Sequence, residues 1–334
     1  MTSKEVTRPI ILEYIWIDGK NGFRSKYKTT NFSDIKLSIE QWTYDGRECY
    51  YTDNTSEITL NPVIYCNNPF FEKGSSLLVL CDTVTKLGDK FVSIANNKRP
   101  LAVDTMNKWI EHEPIISFTQ EYFIVDKNGC PPFFSGGGLP PKTQGDYYCG
   151  VGHNNMMYRE LAETHYKHCI SASLKIISMN AGSAPNQWRF RIGIGNILEI
   201  CDQLLLAKYI LIRVAETYNL SISFEPRPLP EPWNSSGLYI SLSSKESRNE
   251  NGIDKLNMYI ERLLNRHTDH INLFGGEGNN NNKFTWGIGT YNTSIRIPGS
   301  VSLNRRGYLE DRRACSNVDP YLIASKICDT CFTT

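Results

Sequence analysis

Residues 308–313 read YLEDRR, which gathers Tyr308, Glu310, Arg312 and Arg313 in one short segment. A second carboxylate, Glu121, sits in the run ISFTQEYFIV, and Arg189 and Arg191 alternate with apolar residues in QWRFRIGI. Two chemistries are open to such groups. Hard divalent cations such as Mg²⁺ and Mn²⁺ take oxygen ligands, mainly carboxylates. Without a metal, carboxylates and arginines compensate one another as structural ion pairs. In an extended segment Trp188, Phe190, Ile192 and Ile194 share one face, which puts Arg189 and Arg191 together on the other.

Other reactive residue types read as structure. His267 and His270 are three apart near a helix end among polar neighbours, as surface histidines are. Cys328 and Cys331 form a lone CxxC, and the ten cysteines at irregular spacings read as reduced, packed thiols. Gly136 to Gly138 lack the helix and lysine of a phosphate loop and read as a connector. Asp45, in YDG, has the place of a turn residue.

The elements that must position these groups fall into two parts. The first hundred residues are short extended pieces separated by turns: IILEYIWID, KNGF, a polar stretch, the loop-like YDGRECYYTDNTSEITLNP, then SLLVLCDTV and KFVSIA. NNKRP, at 96–100, closes this β-rich part on a proline, so a domain of 1–98 is expected, followed by one of 99–334. The second part mixes strands such as QWRFRIG, LYISLS and NTSIRIP with helices near 102–112 and in NNMMYRELAETHYKHCISASL, QLLLAKYILIRVAETY and IDKLNMYIERLLNRH. A last helix starts at Asp319-Pro320, a side-chain cap with proline at the first helical position. The class is α+β.

With 36 Lys plus Arg against 35 Asp plus Glu the charges nearly cancel, and neither end carries a basic or acidic run, which argues against nucleic acid as a partner. No apolar stretch has the length of a bilayer span, and the N-terminal run lacks a small-residue cleavage site, so a membrane is not expected and cytoplasmic residence is the default. GGEGNNNNK, at 275–283, is the one low-complexity piece and reads as an exposed loop.

Five ordered segments carry a resemblance: WIDG at 16–19, QGDYYCGVG at 144–152, PNQWRFRIG at 185–193, EPWNSSG at 231–237 and RGYLEDRRACSNVDPY at 306–321. Through them the chain resembles the eukaryotic-type glutamine synthetases over nearly its whole length. The resemblance implies a small β-grasp N-terminal domain and a larger catalytic-type domain whose antiparallel strands curve into a half-barrel flanked by helices. It also implies a homo-oligomeric ring, commonly a decamer of two stacked pentamers, with sites between neighbouring subunits. The family reaction uses ATP to phosphorylate glutamate, and ammonia then displaces the phosphate.

The family holds its metals with five glutamates and one histidine, and this chain departs from that set. Where the family writes EQEY the chain has TQEY, so Glu121 remains and Thr119 replaces a glutamate. NAGSAPNQWRFR places Gly182 and Arg189 at two more glutamate positions, and WNSSGLY places Tyr239 at the histidine. Only Glu310 joins Glu121 as a retained ligand. Mg or Mn binding is therefore expected to be weak or lost, and Arg189 or Arg191 is expected to pair with Glu121 or Glu310.

The resemblance further implies nucleotide contacts at Ser243, Arg248, Tyr308 and Arg312, so ATP or ADP is an expected ligand. It implies substrate contacts at Asn234 and Arg296, and vestigial catalytic positions at Asp45 and Arg313. Tyr291 replaces a phosphate-facing arginine, and the asparagine-rich loop near 279–282 stands where the family has its flap segment. Two functional classes follow. One is a pseudoenzyme that keeps ring assembly, alone or with an active synthetase. The other is an active ATP-dependent carboxylate–amine ligase.

Overall fold

The computed structural model describes residues 9–31, 39–51, 57–87, 90–94, 96–132, 143–152, 155–229, 231, 233–275 and 283–333. The glycine run 136–138 and the asparagine-rich loop at 279–282 lie outside them. The chain divides into two compact units, residues 1–100 with 168–174, and residues 101–167 with 175–334.

The first unit is built on a mixed sheet ordered β2-β1-β5-β4-β3, with β6 beside β5: β1 Pro9–Ile17, β2 Phe23–Asn31, β3 Trp42–Asp45, β4 Glu57–Asn67, β5 Ser76–Leu87 and β6 Lys90–Ser93. β1 and β5 run parallel at its centre. Leu12, Tyr14, Trp16, Leu77 and Val79 from those two strands form most of the core. β2, which as sequence is only a polar stretch, pairs along its full length with β1. The loop-like segment 44–62 contains the end of β3, the start of β4 and a 3₁₀ turn, Gly46–Cys49, capped by the Asp45 carboxylate on the Arg47 N–H.

The second unit holds a sheet ordered β12-β13-β14-β11-β7-β9-β8, with β10 beside β7. Its strands are β7 Ile115–Val125, β8 Ile176–Ala181, β9 Gln187–Gly195, β10 Ser221–Ser223, β11 Gly237–Ser243, β12 Trp286–Ile288, β13 Ile295–Ile297 and β14 Leu309–Cys315. All pairs are antiparallel except β12 with β13, and the sheet curls into a half-barrel. Helices α1 Arg99–Lys108, α2 Arg159–Ser171, α3 Ile197–Thr217, α4 Lys245–Arg248, α5 Gly252–Asn265, α6 His267–Leu273, α7 Gly299–Asn304 and α8 Pro320–Phe332 complete the described elements. No helix among the described residues is long and apolar enough to cross a membrane.

Alternation along each strand decides which face the helices cover. Phe118, Tyr122, Trp188, Phe190, Leu238 and Ile240 are buried, and α3 packs on β7 and β9 while α8 packs on β11. Each such side chain contributes roughly 1.5–3 kcal/mol by leaving water. Asn196 caps α3 by accepting from the Glu199 N–H, and Asp319 caps α8 on Tyr321 and Leu322, with Pro320 opening the helix. Ile194 departs from the expected apolar face and is 61% exposed. Gly193, at φ 102°, interrupts the alternation there beside a register shift in the β7–β9 pair.

The same alternation splits YLEDRR. Glu310 and Arg312 take one face of β14, while Asp311 and Arg313 point to the helix side and are buried. Arg313 forks onto Asp311, with Nη2–Oδ2 at 2.6 Å, and donates from Nη2 to His270 Nδ1 at 2.8 Å. His270 is therefore not the surface residue its neighbours suggested; it is 2% exposed. Its Nδ1 faces a donor, so the proton of the neutral ring sits on Nε2 and reaches Thr330 Oγ1 at 2.9 Å. Cys328 and Cys331 are buried free thiols in α8, and burial pushes both well up.

Burial, then the Arg313 charge, lowers His270 from 6.5 to about 4. The unfolded chain therefore binds a proton that the folded chain refuses, and stability present above about 6.5 is lost as pH falls toward about 4. Urea unfolding as a function of pH is expected to show a loss on the order of 3 kcal/mol across that window, and His270→Gln is expected to remove that part of the slope.

Candidate functional site

The polar face of the half-barrel lines a cleft of about 1040 Å³. Strand register sets its floor. Glu121 on β7 lies opposite Arg189 on β9 and Thr119 opposite Arg191, while Tyr239 on β11 lies opposite Thr119. Arg189, Glu121, Tyr239 and Arg312 line the cleft together with Gly182 and Asn234.

Glu121 is 6% exposed, and both of its oxygens face polar groups. Its Oε2 accepts from the Tyr239 hydroxyl at 2.8 Å and from the Gly237 N–H at 3.0 Å, and its Oε1 lies 3.8 Å from Arg189 Nη1. Burial pushes the Glu121 carboxyl up, against Tyr239, Arg189 and the Gly237 N–H, which favour its charged form. Burial, and next the Glu121 charge, hold the Tyr239 phenol well above its ordinary range, so it stays protonated and donates. Arg189 is itself anchored, donating from Nε to Asn180 Oδ1 at 3.0 Å and from Nη2 to the Tyr148 hydroxyl at 2.9 Å.

Glu310 is held by a different arginine from the two expected. Arg296 on β13, its cross-strand partner, donates from Nη1 to Oε2 at 2.9 Å, and both side chains are largely buried. Arg191 turns instead to two hydroxyls, Ser117 at 2.8 Å and Ser241 at 3.2 Å. So Arg189 meets Glu121 as the alternation suggested, whereas Arg191 meets neither carboxylate.

Position 182 is closed for a steric reason. A Cβ there would stand 2.6–2.8 Å from the Gln187 side chain, which is pinned by the Ala184 N–H and by its own bond to Ser235 O. A longer side chain at 182 would have to displace that amide.

The ligand positions kept for a divalent cation reduce to two carboxylates, Glu121 and Glu310, each beside an arginine. Among the described residues no three His, Cys, Asp or Glu side chains gather as a metal site. A guanidinium stands beside each retained carboxylate, so cation binding would begin by breaking a desolvated ion pair.

The remaining expected residues are dispersed. Ser243 and Arg248 meet at the end of β11, where Arg248 donates to Ser243 Oγ at 3.1 Å and to Glu113 O at 3.0 Å. Arg191 lies over the Tyr308 ring at 6.0 Å. Asn234 accepts from Gln144 at 2.8 Å at the cleft edge. Arg313 is behind the sheet, and Asp45 sits in the first unit, paired with Arg47 at 2.6 Å. Tyr148, Lys283 and Arg227 are among the cleft residues that had not been singled out. Tyr148 lies within the QGDYYCGVG segment, whereas Lys283 and Arg227 had no periodic or motif signal.

Comparison with known proteins relates the sequence to a family. The catalytic-domain model of glutamine synthetase matches residues 101–259. Glutamine synthetase of Schizosaccharomyces pombe is 35% identical over 335 residues, covering 97% of this chain and 92% of the relative. The cytosolic isozyme 1-1 of Oryza sativa subsp. japonica is 35% identical over 343 residues, covering 98% and 95%. Glutamine synthetase 1, mitochondrial, of Drosophila melanogaster is 35% identical over 336 residues, covering 95% and 83%. Similarity of this extent, spanning both the β-rich unit and the half-barrel, makes the chain a member of the glutamine synthetase family.

Proposed function

We propose that this member is a pseudoenzyme whose metal-dependent ligation is lost or strongly impaired, and that it retains ring assembly and nucleotide binding. The observation that carries the reading is the pairing of Glu121 with Arg189 and of Glu310 with Arg296. Phosphoryl transfer to a carboxylate needs divalent charge between the reacting anions. Here a fixed guanidinium stands beside each carboxylate that could supply a ligand, and it cannot be exchanged for a metal without leaving a buried charge behind.

Nucleotide binding rests on Ser243, Arg248, Tyr308 and Arg312, with arginine forks meeting phosphate directly. Asn234 and Arg296 keep positions on the substrate side, although Arg296 is committed to Glu310. The role that remains is assembly, either with copies of itself or with an active synthetase whose activity it would alter at a shared junction.

Glutamine formation from glutamate, ammonia and ATP, measured with Mg²⁺ and then Mn²⁺, is expected to stay at background. Turnover comparable to an active relative assayed alongside would establish the ligase reading instead. ADP is expected to raise the melting temperature equally in Mg²⁺ and in EDTA, and a shift seen only with metal would contradict the proposal. Arg296→Ala is expected to destabilise the fold by about 3 kcal/mol in urea unfolding, because Glu310 would be left unpaired; an effect below about 0.5 kcal/mol would place that carboxylate in water.

A further inference from the structure

A second cavity, of about 370 Å³, lies on the helix side of the half-barrel, where α8 meets α5 and α6. Its volume is in the range of small-molecule sites. Helical spacing builds it. Lys326, Thr330 and Thr333 share one face of α8 at intervals of four and three residues, and Arg262 faces them from the last turn of α5.

The acceptors of this cavity are already met. Asp269 Oδ2 accepts from Arg266 at 2.9 Å, and Asp329 Oδ1 accepts from the Trp109 indole at 2.7 Å and from Lys108 at 3.3 Å. Two carbonyls in the last turn of α8 are capped as well, Asp329 O by the Thr333 hydroxyl and Cys331 O by Arg262 Nη1, each at 2.6 Å.

The donors are in surplus. Lys326 makes no hydrogen bond or ion pair to a described residue, although Asp329 is three residues along the same helix. It also stands before the last turn of α8, outside the reach of a helix-end charge effect. Arg262 uses Nη1 on Cys331 O, and its Nε and Nη2 meet no described acceptor. The Thr330 hydroxyl accepts from His270 Nε2, so its own proton points elsewhere, and no described residue takes it.

An ammonium, a guanidinium edge and a hydroxyl, carried on two helices around one cavity, approach a ligand from several directions. A tetrahedral oxyanion meets such donors better than a flat carboxylate does, with lysine as a point charge and arginine as a fork. We infer that this cavity binds the phosphate group of a small molecule, at a site separate from the cleft. No cleft residue takes part, and the proposed loss of ligation is not a premise. A phosphate on Thr330 would sit one hydrogen bond from His270 and two from Arg313, so its binding steadies the buried cluster behind β14.

Isothermal titration of the full chain in EDTA with inorganic phosphate, and separately with glycerol 3-phosphate, tests the site. A dissociation constant at or below about 1 mM is expected for at least one of them, with added salt weakening it. Lys326→Gln, at a half-buried position, is expected to weaken binding by about threefold, and Arg262→Gln by about tenfold. The better-bound probe tells a free phosphate ion from a phosphate ester. Should Arg262→Gln fail to fold by circular dichroism, Lys326→Gln decides alone. No binding at or below about 1 mM overturns the inference. Binding that Lys326→Gln leaves unchanged also overturns it, because the anion then sits elsewhere on the chain. Glutamine formation alongside binding that Lys326→Gln weakens would sink only the proposed function.

Discussion

A carboxylate out of water must be met by a positive charge, and on the polar face of this half-barrel guanidinium groups meet it. Glu121 is enclosed by Tyr239, the Gly237 N–H and Arg189, and Glu310 by Arg296. The surrounding arrangement depends on that choice. Arg189 needs Asn180 and Tyr148 to hold its fork in place, and Tyr239 needs the open space above Gly237, whose missing side chain would otherwise stand 2.4 Å from the phenol ring. Desolvated pairs of this kind add little net stability but cost several kcal/mol, roughly, to break on one side. They therefore lock the site more than they strengthen the fold.

The half-barrel is the rigid element that makes such a lock possible. Its apolar face is closed by α3 and α8, and its polar face presents side chains at fixed cross-strand spacing. Sites built on strands keep their geometry when their chemistry changes. Glu121 and Arg189 are direct neighbours on β7 and β9, and Arg296 and Glu310 are neighbours on β13 and β14. Similarity to glutamine synthetases over nearly all of the chain is compatible with the proposed loss of metal-dependent ligation, since activity belongs to the site and not to the fold.

Much of this was legible in the residues, and the rest was hidden for identifiable reasons. Alternation in QWRFRIGI separated the apolar face from both arginines, and Asp319-Pro320 marked the start of α8. β2 was not legible because its residues, FRSKYKTTN, carry almost no apolar signal; the strand is specified by pairing with the buried β1. Ile194 left its expected face at Gly193, where a bulge resets the period. The Arg296–Glu310 pair needed knowledge that β13 adjoins β14, a long-range fact that no local pattern contains. His270 looked exposed among polar neighbours, yet the buried Arg313, pointing to the helix side of β14, claimed it.

The central claim is that arginines occupy the electrostatic place of divalent cations in this cleft. Titration of the protein with Mn²⁺, followed by electron paramagnetic resonance of the free ion, tests it most directly. The account predicts that Glu121→Gln and Glu310→Gln leave Mn²⁺ binding unchanged from a low, nonspecific level. A saturable Mn²⁺ site that either substitution abolishes would contradict it.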